Sequence, residues 1–127
     1  HGGLALVHTC ACTIDKNRHD PFIQKYIFPG SNWPRLAQIV ENTERQKLSV
    51  IDVENLARHY VLTVKHWKKN FDANRHKLDP KKYDERFMRM WDFFFAWCVA
   101  ASSVSEGALF QVLLANDFAM HHPYQRV

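Results

Sequence analysis

Hydrophobic residues recur along this chain at two spacings, one typical of strands and one typical of helices. The short apolar run Leu4–Cys10 follows a glycine pair and predicts a strand buried on both faces of a largely parallel sheet. A second strand is predicted around Leu48–Val53, where the alternation is imperfect, and a third over Leu109–Ala115. The intervening segments are long enough to hold helices.

Turn and cap signals predict where the first helix begins. A Pro-Gly pair at 29–30 indicates a turn. Ser31 or Asn32 is then expected to cap the helix, with Pro34 near its first position, where a missing N–H has no cost.

Two longer helices are predicted between the second and third strands, on either side of a break at Asp79-Pro80. The stripe of the earlier helix consists of Tyr60, Val64, Trp67 and Phe71. The stripe of the later helix consists of Tyr83, Phe87, Met90, Phe94, Trp97 and Ala101. Gly107 is its predicted stop. The later stripe is interpreted as core rather than as a substrate wall.

The predicted order is strand, helix, strand, helix, helix, strand, which is typical of an α/β fold. Three strands form too small a sheet to be covered on two faces, so the chain resembles half of a larger doubly wound domain. Its four glycines form no G-x-G turn, so no phosphate or dinucleotide site is predicted.

Composition and charge leave three interpretations open for the surface. The chain has 127 residues, 46% of them hydrophobic, including nine Phe, four Trp and four Tyr, with a net charge of +4. Basic residues gather between Lys65 and Lys82. A solvated helix face is favoured over a nucleic-acid patch, and attraction to an anionic membrane is the third interpretation.

Cysteine count and the N-terminal residues bear on the cellular compartment. Three cysteines without a framework spacing favour a reducing cytoplasm over a disulfide scaffold. His1 is not followed by a charged segment and an apolar segment, so no signal peptide is predicted. No apolar run reaches the roughly 20 residues of a membrane span.

Five segments, taken in order, resemble the cyclopropane-fatty-acyl-phospholipid synthase family. DPFIQKYIFPGSNWPRLAQI at 20–39 is similar to the family pattern D-x-[WF]-I-x-K-Y-I-F-P-x-x-x-x-P-x-x-x-x-I. The other four are GGLALVHT at 2–9, HYVLTVKHWKKNF at 59–71, YDERFMRMWDFFFAWCVAA at 83–101 and LFQVLL at 109–114.

The resemblance implies a fold and a reaction. Residues 1–127 would form the C-terminal half of a Rossmann-like class I methyltransferase sheet with helical lipid-pocket insertions, and the cofactor-binding N-terminal portion would lie outside them. The parent enzyme would use S-adenosylmethionine to methylate the double bond of an unsaturated phospholipid acyl chain, with bicarbonate as base.

The resemblance also implies partners and a location. The chain alone is expected to be inactive, to be cytoplasmic and peripheral to the inner membrane, and to bind no nucleic acid. Its first strand would pair with another copy or with a cofactor-binding half. A non-catalytic lipid-binding or complementing subunit is the alternative.

The same resemblance assigns the site residues. The His8 imidazole, the Cys10 backbone N–H and the Tyr60 phenol would hold the bicarbonate, and the lipid-pocket residues would be Tyr26, Ile27, Phe28 and Trp33. The alternative, purely structural interpretations are a satisfied core histidine for His8, a core aromatic for Tyr60 and a hydrophobic staple for Trp33. The Cys10-x-Cys12 spacing beside His8 argues against zinc, so no metal site is predicted.

Overall fold

The elements follow one another in the predicted order in the computed structural model, which describes residues 3–14, 20–104 and 106–116. They are β1 (Leu4–Cys12), α1 (Leu36–Arg45), β2 (Ser49–Asn55), α2 (Ala57–Asn74), α3 (Glu85–Ser103) and β3 (Gly107–Ala115). A π-helical turn at Ile23–Ile27 precedes α1, and a 3-10 turn at Arg75–Lys77 follows α2. The predicted α/β class is confirmed.

The sheet has the order β1-β3-β2, and β3 pairs antiparallel with both neighbours. The prediction of a largely parallel sheet is therefore wrong for the described strands. The outer strands β1 and β2 run in the same direction, but β3 lies between them and runs the opposite way. The strand that is buried along most of its length is the central β3.

β1 forms an edge of this sheet, which corrects the expectation that it is buried on both faces. Leu4 and Leu6 are 52% and 58% exposed, and burial increases only towards Ala11. Among the strands that the structure describes, β1 has a neighbour on the β3 side alone. Other apolar residues among those described thus do not cover the apolar side chains at the start of β1.

Two apolar clusters stabilise the fold, one on the sheet and one among the helices. The sheet cluster contains Ala11, Ala108, Phe110, Val112 and Leu114, with Leu36, Ile39, Leu48, Val50 and Val53 packed against it. The helical cluster contains Ile23, Val64, Phe94, Phe95 and Cys98. Phe22, Ile27, Tyr60, Phe71, Trp91, Trp97 and Val99 pack around that second cluster.

Helix α1 begins later than its sequence signals predict. Its cap is Arg35, whose backbone N–H donates to the side-chain oxygen of Gln38 at 2.9 Å. The Cys12 N–H donates to the Pro34 carbonyl at 3.1 Å, and Cys12 forms a parallel bridge with Arg35. This pairing holds 34–35 extended beside β1, so neither Ser31 nor Asn32 caps the helix.

Helices α2 and α3 pack together through the aromatic cluster and through an ion-pair network. Asp92 accepts from Arg75 Nη2 at 2.7 Å and lies 3.4 Å from Lys68 Nζ. The Asp84 carboxylate caps α3 by accepting from the Phe87 N–H at 2.8 Å. The cap, the network and the packed rings together fix how α3 lies against α2.

The end of α3 and its buried stripe both differ from the prediction. The helix ends at Ser103, whereas the predicted stop, Gly107, is the first residue of β3. The Glu106 N–H donates to the Ala101 carbonyl at 3.2 Å, which turns the chain before Gly107. The deeply buried residues of α3 are Phe94, Phe95 and Cys98. None of the described helices is both long and apolar enough for a bilayer crossing.

Candidate functional site

Cys10 and Tyr60 come together where the start of α2 approaches β1. The thiol of Cys10 and the phenol of Tyr60 lie close enough to influence each other's ionisation, and both side chains are half-buried. Tyr60 lies in the first turn of α2, which follows β2 directly. The connection from β2 to α2 therefore decides where this phenol lies.

Burial keeps the groups around Tyr60 in their neutral forms. Desolvation raises the pKa of the Tyr60 phenol above its ordinary value, and the Cys10 and Cys98 thiols raise it further. Burial also raises the pKa of the Cys10 thiol, although the neighbouring Tyr60 side chain partly offsets the effect. Near neutral pH, Tyr60 is thus a hydrogen-bond donor, and Cys10 is a thiol rather than a nucleophilic thiolate.

The backbone N–H of Cys10 faces the open edge of β1. Backbone groups alternate between the two sides of a strand. The Thr13 N–H donates to the Glu106 carbonyl beside β3, whereas the Cys12 N–H donates to Pro34 on the other side. The even-numbered residues of β1, including His8 and Cys10, therefore direct their N–H groups away from β3.

His8 lies on the same face of β1 as Cys10, about 7 Å further along the strand. It is exposed, and its Nδ1 lies 3.1 Å from the side-chain nitrogen of Gln111 on β3. His8 and Gln111 are cross-strand partners in the register of the sheet. The interpretation of His8 as a satisfied core histidine does not hold, because the residue is exposed.

The aromatic segment before α1 is divided between core and surface. Ile27 packs against the helical cluster. Tyr26 and Phe28 are 40% and 46% exposed, and the Phe28 ring lies 5.8 Å from the ring of Phe94. The segment is a π-helical turn rather than the irregular loop that its Pro-Gly ending favours, and it presents alternate sides to core and solvent.

Trp33 lies apart from these residues, in a pocket of its own. Its ring centroid is 5.7 Å from that of Trp97, and its carbonyl accepts a hydrogen bond from the Cys12 thiol at 3.4 Å. The pocket has a volume of about 230 Å³. Its lining consists of Cys12, Ile14, Asp20, Pro21, Asn32, Trp33, Trp97, Ala101, Glu106 and Gly107. His8, Cys10 and Tyr60 are not part of that lining.

The structure adds two residues to those suggested by the sequence. Gln111 contacts His8, and Cys98 interacts electrostatically with both Cys10 and Tyr60. Gln111 is a single amide inside an otherwise apolar strand, which is a signal that the sequence does contain. Among the described residues, no group of three or more His, Cys, Asp or Glu side chains is arranged to hold a metal ion.

The chain matches known proteins over most of its length. The family described as mycolic acid cyclopropane synthetase matches residues 1–112. A protein of Pseudomonas putida named "Probable fatty acid methyltransferase" is 33% identical over 101 residues, covering 80% of this chain and 25% of that protein. The cyclopropane-fatty-acyl-phospholipid synthase of Escherichia coli K12 is 30% identical over 114 residues, covering 90% and 29%.

The fold is also that of solved cyclopropane synthases. The crystal structure of the mycolic acid cyclopropane synthase CmaA1 complexed with SAH and CTAB superposes with a TM-score of 0.78 at 21% identity. The superposition covers 90% of this chain and 44% of that one. This chain thus spans less than a third of the length of these two curated relatives. With most of its residues matched to one family, the chain belongs to the mycolic acid cyclopropane synthetase family.

Proposed function

We propose that this chain is the lipid-holding and base-holding part of an S-adenosylmethionine-dependent methyltransferase. The substrate is the double bond of an unsaturated phospholipid acyl chain, and the product carries an added methylene or methyl group. The observation that carries the proposal is the cluster at the β1 edge, where the Cys10 thiol meets the Tyr60 phenol and the Cys10 N–H faces outwards, within a chain of this family.

The cluster has the donor set that a small oxyanion needs. Tyr60 remains protonated, the Cys10 N–H is a fixed donor, and His8 lies on the same face of the strand. Bicarbonate fits such a set, because a neutral phenol and an amide stabilise an anion without neutralising it. Held there, it would accept the proton that the new methyl group of the carbocation loses as the cyclopropane ring closes.

The aromatic segment suits the acyl chain. An alkene that gains a methyl group becomes a carbocation, which water would capture. Tyr26 and Phe28 provide ring faces, which attract cations, while Ile27 anchors the segment to the core. Trp33 would contact the acyl chain from its separate pocket. The chain's own role is to exclude water and to hold the anion. S-adenosylmethionine, bound by residues outside this chain, would supply the methyl group.

Pairing with a cofactor-binding half follows from this assignment. Residues 1–127 contain no glycine-rich G-x-G turn, and β1 ends the sheet with exposed Leu4 and Leu6. We therefore assign the chain to the C-terminal portion of the enzyme, inactive alone. From the resemblance to the family we also propose that it acts in the cytoplasm, at the inner membrane surface. The same edge favours a second candidate, a separate subunit that complements a cofactor-binding half or pairs with a second copy.

A lipid analysis tests the proposal. The chain is joined to the N-terminal portion of the Escherichia coli relative, and acyl chains are measured by mass spectrometry. A gain of one CH2 per unsaturated chain is expected, with the position and the ring resolved by fragmentation. If the joined protein binds S-adenosylmethionine yet leaves every lipid unchanged, lipid methylation is not its activity.

Variants of the same joined protein test the site residues. Tyr60→Phe and His8→Gln should each lower turnover roughly 100-fold, as expected when one donor to an oxyanion is removed. Affinity for S-adenosylmethionine should stay within about twofold. The matched control is Tyr83→Phe, a phenol outside the cluster. Parental turnover in both site variants would refute the assignment of the anion site.

A further inference from the structure

An open groove of about 390 Å³ lies between the π-helical turn and α3, away from the Cys10–Tyr60 contact. It is lined by Phe22, Tyr26, Arg86, Arg89, Met90 and Phe93. No residue of the proposed anion site contributes to this lining. The groove thus combines aromatic rings, a flexible thioether side chain and two guanidinium groups in one surface feature.

The rings of the groove are unusually exposed for their size. Phe93 is 52% and Tyr26 is 40% exposed. Phe22 contacts both, with ring centroids 4.6 Å from Phe93 and 5.7 Å from Tyr26. A packed set of rings that remains open to solvent is typical of a binding surface.

Basic side chains surround these rings. Lys25 Nζ lies 5.1 Å and Arg86 Cζ lies 5.7 Å from the centre of the Tyr26 ring. Arg89 pairs with Glu85 at 2.6 Å within α3, which offsets its charge. Lys25 and Arg86 therefore give the aromatic surface a positive border.

We propose that this groove is the face by which the chain docks on an anionic phospholipid membrane. Exposed rings enter the boundary between headgroups and acyl chains, while nearby cations attract anionic headgroups. The same π-helical turn carries Tyr26 of the proposed lipid wall and is followed directly by Phe28, so docking would bring that wall to its substrate. The inference rests on the proposed function only for the identity of the lipid.

Vesicle binding tests the docking face without any methyl transfer. The chain is sedimented with vesicles of phosphatidylcholine containing phosphatidylglycerol, and with vesicles of phosphatidylcholine alone. Binding to the mixed vesicles should weaken roughly fivefold in Arg86→Gln, the loss expected for one cation near an anionic leaflet. Phe93→Ser should weaken it roughly tenfold, because a large apolar contact is removed.

Matched controls come from α2, which carries exposed side chains of the same kinds. Leu62 is 58% exposed and Lys65 is also exposed, so Leu62→Ser and Lys65→Gln should leave binding unchanged. Far-ultraviolet circular dichroism confirms that each variant is folded, and Arg86→Gln alters no buried residue. Equal losses in the controls, or no binding to mixed vesicles, would overturn the docking face. Vesicle binding without lipid methylation by the joined protein would contradict the proposed function alone.

A separate observation supports a second inference, about the orientation of His8. In the orientation that the structure assigns to the Gln111 amide, its nitrogen lies 3.1 Å from His8 Nδ1. An amide nitrogen can only donate a hydrogen bond, so this orientation makes Nδ1 the acceptor. The ring proton must then lie on Nε2, which leaves an N–H donor at the far end of the ring. We infer that Gln111 is a positioning residue that holds His8 as a donor for the proposed anion.

Nitrogen-15 NMR of the imidazole ring in the full chain reads this tautomer directly. The Nε2–H form should dominate in the parent chain, whereas Gln111→Glu places an acceptor beside Nδ1 and should favour a proton there. Gln111→Leu should give an intermediate mixture, and Gln24→Glu, which changes an amide elsewhere, should leave the ring unaltered. An identical tautomer in all these variants would overturn the positioning role. The predicted tautomer shift, combined with unchanged turnover of Gln111→Leu in the joined protein, would contradict only the anion role of His8.

Discussion

The helical part of the chain and the outer edge of its sheet differ in how well each covers its own apolar residues. Among the helices, Val64 is fully buried and Phe94 and Phe95 are 6% exposed. On β1, Leu4 and Leu6 are more than half exposed. Both segments are apolar in sequence, so the difference arises from their neighbours.

This difference separates what stabilises the chain from what remains available for partners. The ring of Phe71 on α2 contacts those of Trp91 and Phe95 on α3, and the Asp92 ion pairs add to the packing of the two helices. Among the described strands, β1 has one neighbour, so its other edge presents unpaired backbone groups, and Leu4 and Leu6 lie exposed on one face of the strand. The helical part should therefore dominate the stability, whereas the edge should govern association.

Phe95→Ala should have the largest effect on stability. Its ring lies 5.6 Å from Phe71 and 5.7 Å from Trp91, so its loss should cost about 3–5 kcal/mol of unfolding free energy, as for other buried Phe truncations. Urea denaturation measures the change. Val104→Ala, at a residue that is 66% exposed, should cost less than about 0.5 kcal/mol. Similar losses in both variants would show that the helical cluster is not the main core.

Alkaline pH should destabilise the same cluster. Burial raises the pKa of the Cys98 thiol from 9.0 to about 12. Above pH 9 the unfolded chain releases this proton while the folded chain keeps it, so stability falls as pH rises towards 12. The full slope from one thiol is about 1.4 kcal/mol per pH unit.

The test measures how steeply the unfolding free energy falls with pH in the parent chain and in Cys98→Ala. The variant should show the shallower decline, and part of the slope should persist because the pKa values of Cys10 and Tyr60 are also raised. Cys12→Ala provides the thiol control. A parental slope in Cys98→Ala would mean that Cys98 is not protected from water in solution.

Leu6→Lys should have the smallest effect on folding and a clear effect on association. The side chain is 58% exposed, so unfolding free energy should change by less than about 0.5 kcal/mol. A lysine on an edge strand discourages strand pairing, so self-association measured by analytical ultracentrifugation should decrease. Lys47→Leu, outside the strands, is the control. Unchanged association in Leu6→Lys would exclude the β1 edge as the contact surface.

Local patterns predicted the elements better than their ends. Apolar spacing indicated the three strands and the three helices, because alternation and helical stripes reflect contacts that any such element must make. The start of α1 was missed because Cys12 pairs with Arg35 from 23 positions earlier. Gly107 was predicted to end α3, but it is the first residue of β3.

The candidate site likewise has features that the sequence predicted and features that it did not. The order of the motifs identified the family. The resemblance to that family then gave His8, Cys10 and Tyr60 as candidate site residues. Their roles stay predictions. The approach of Cys10 to Tyr60 and the contact between His8 and Gln111 bring together residues that are far apart in the chain, and no local pattern specifies either.

The sequence by itself determined the α/β class, the family and the apolar character of the segment around Tyr26. The tertiary structure alone decided that β3 lies between β1 and β2, that Cys10 directs its N–H outwards, and that Phe93 and Arg86 share one groove. Composition and spacing record what each segment can bury. Which surfaces meet depends on chain direction and register, and these are set by contacts between distant segments.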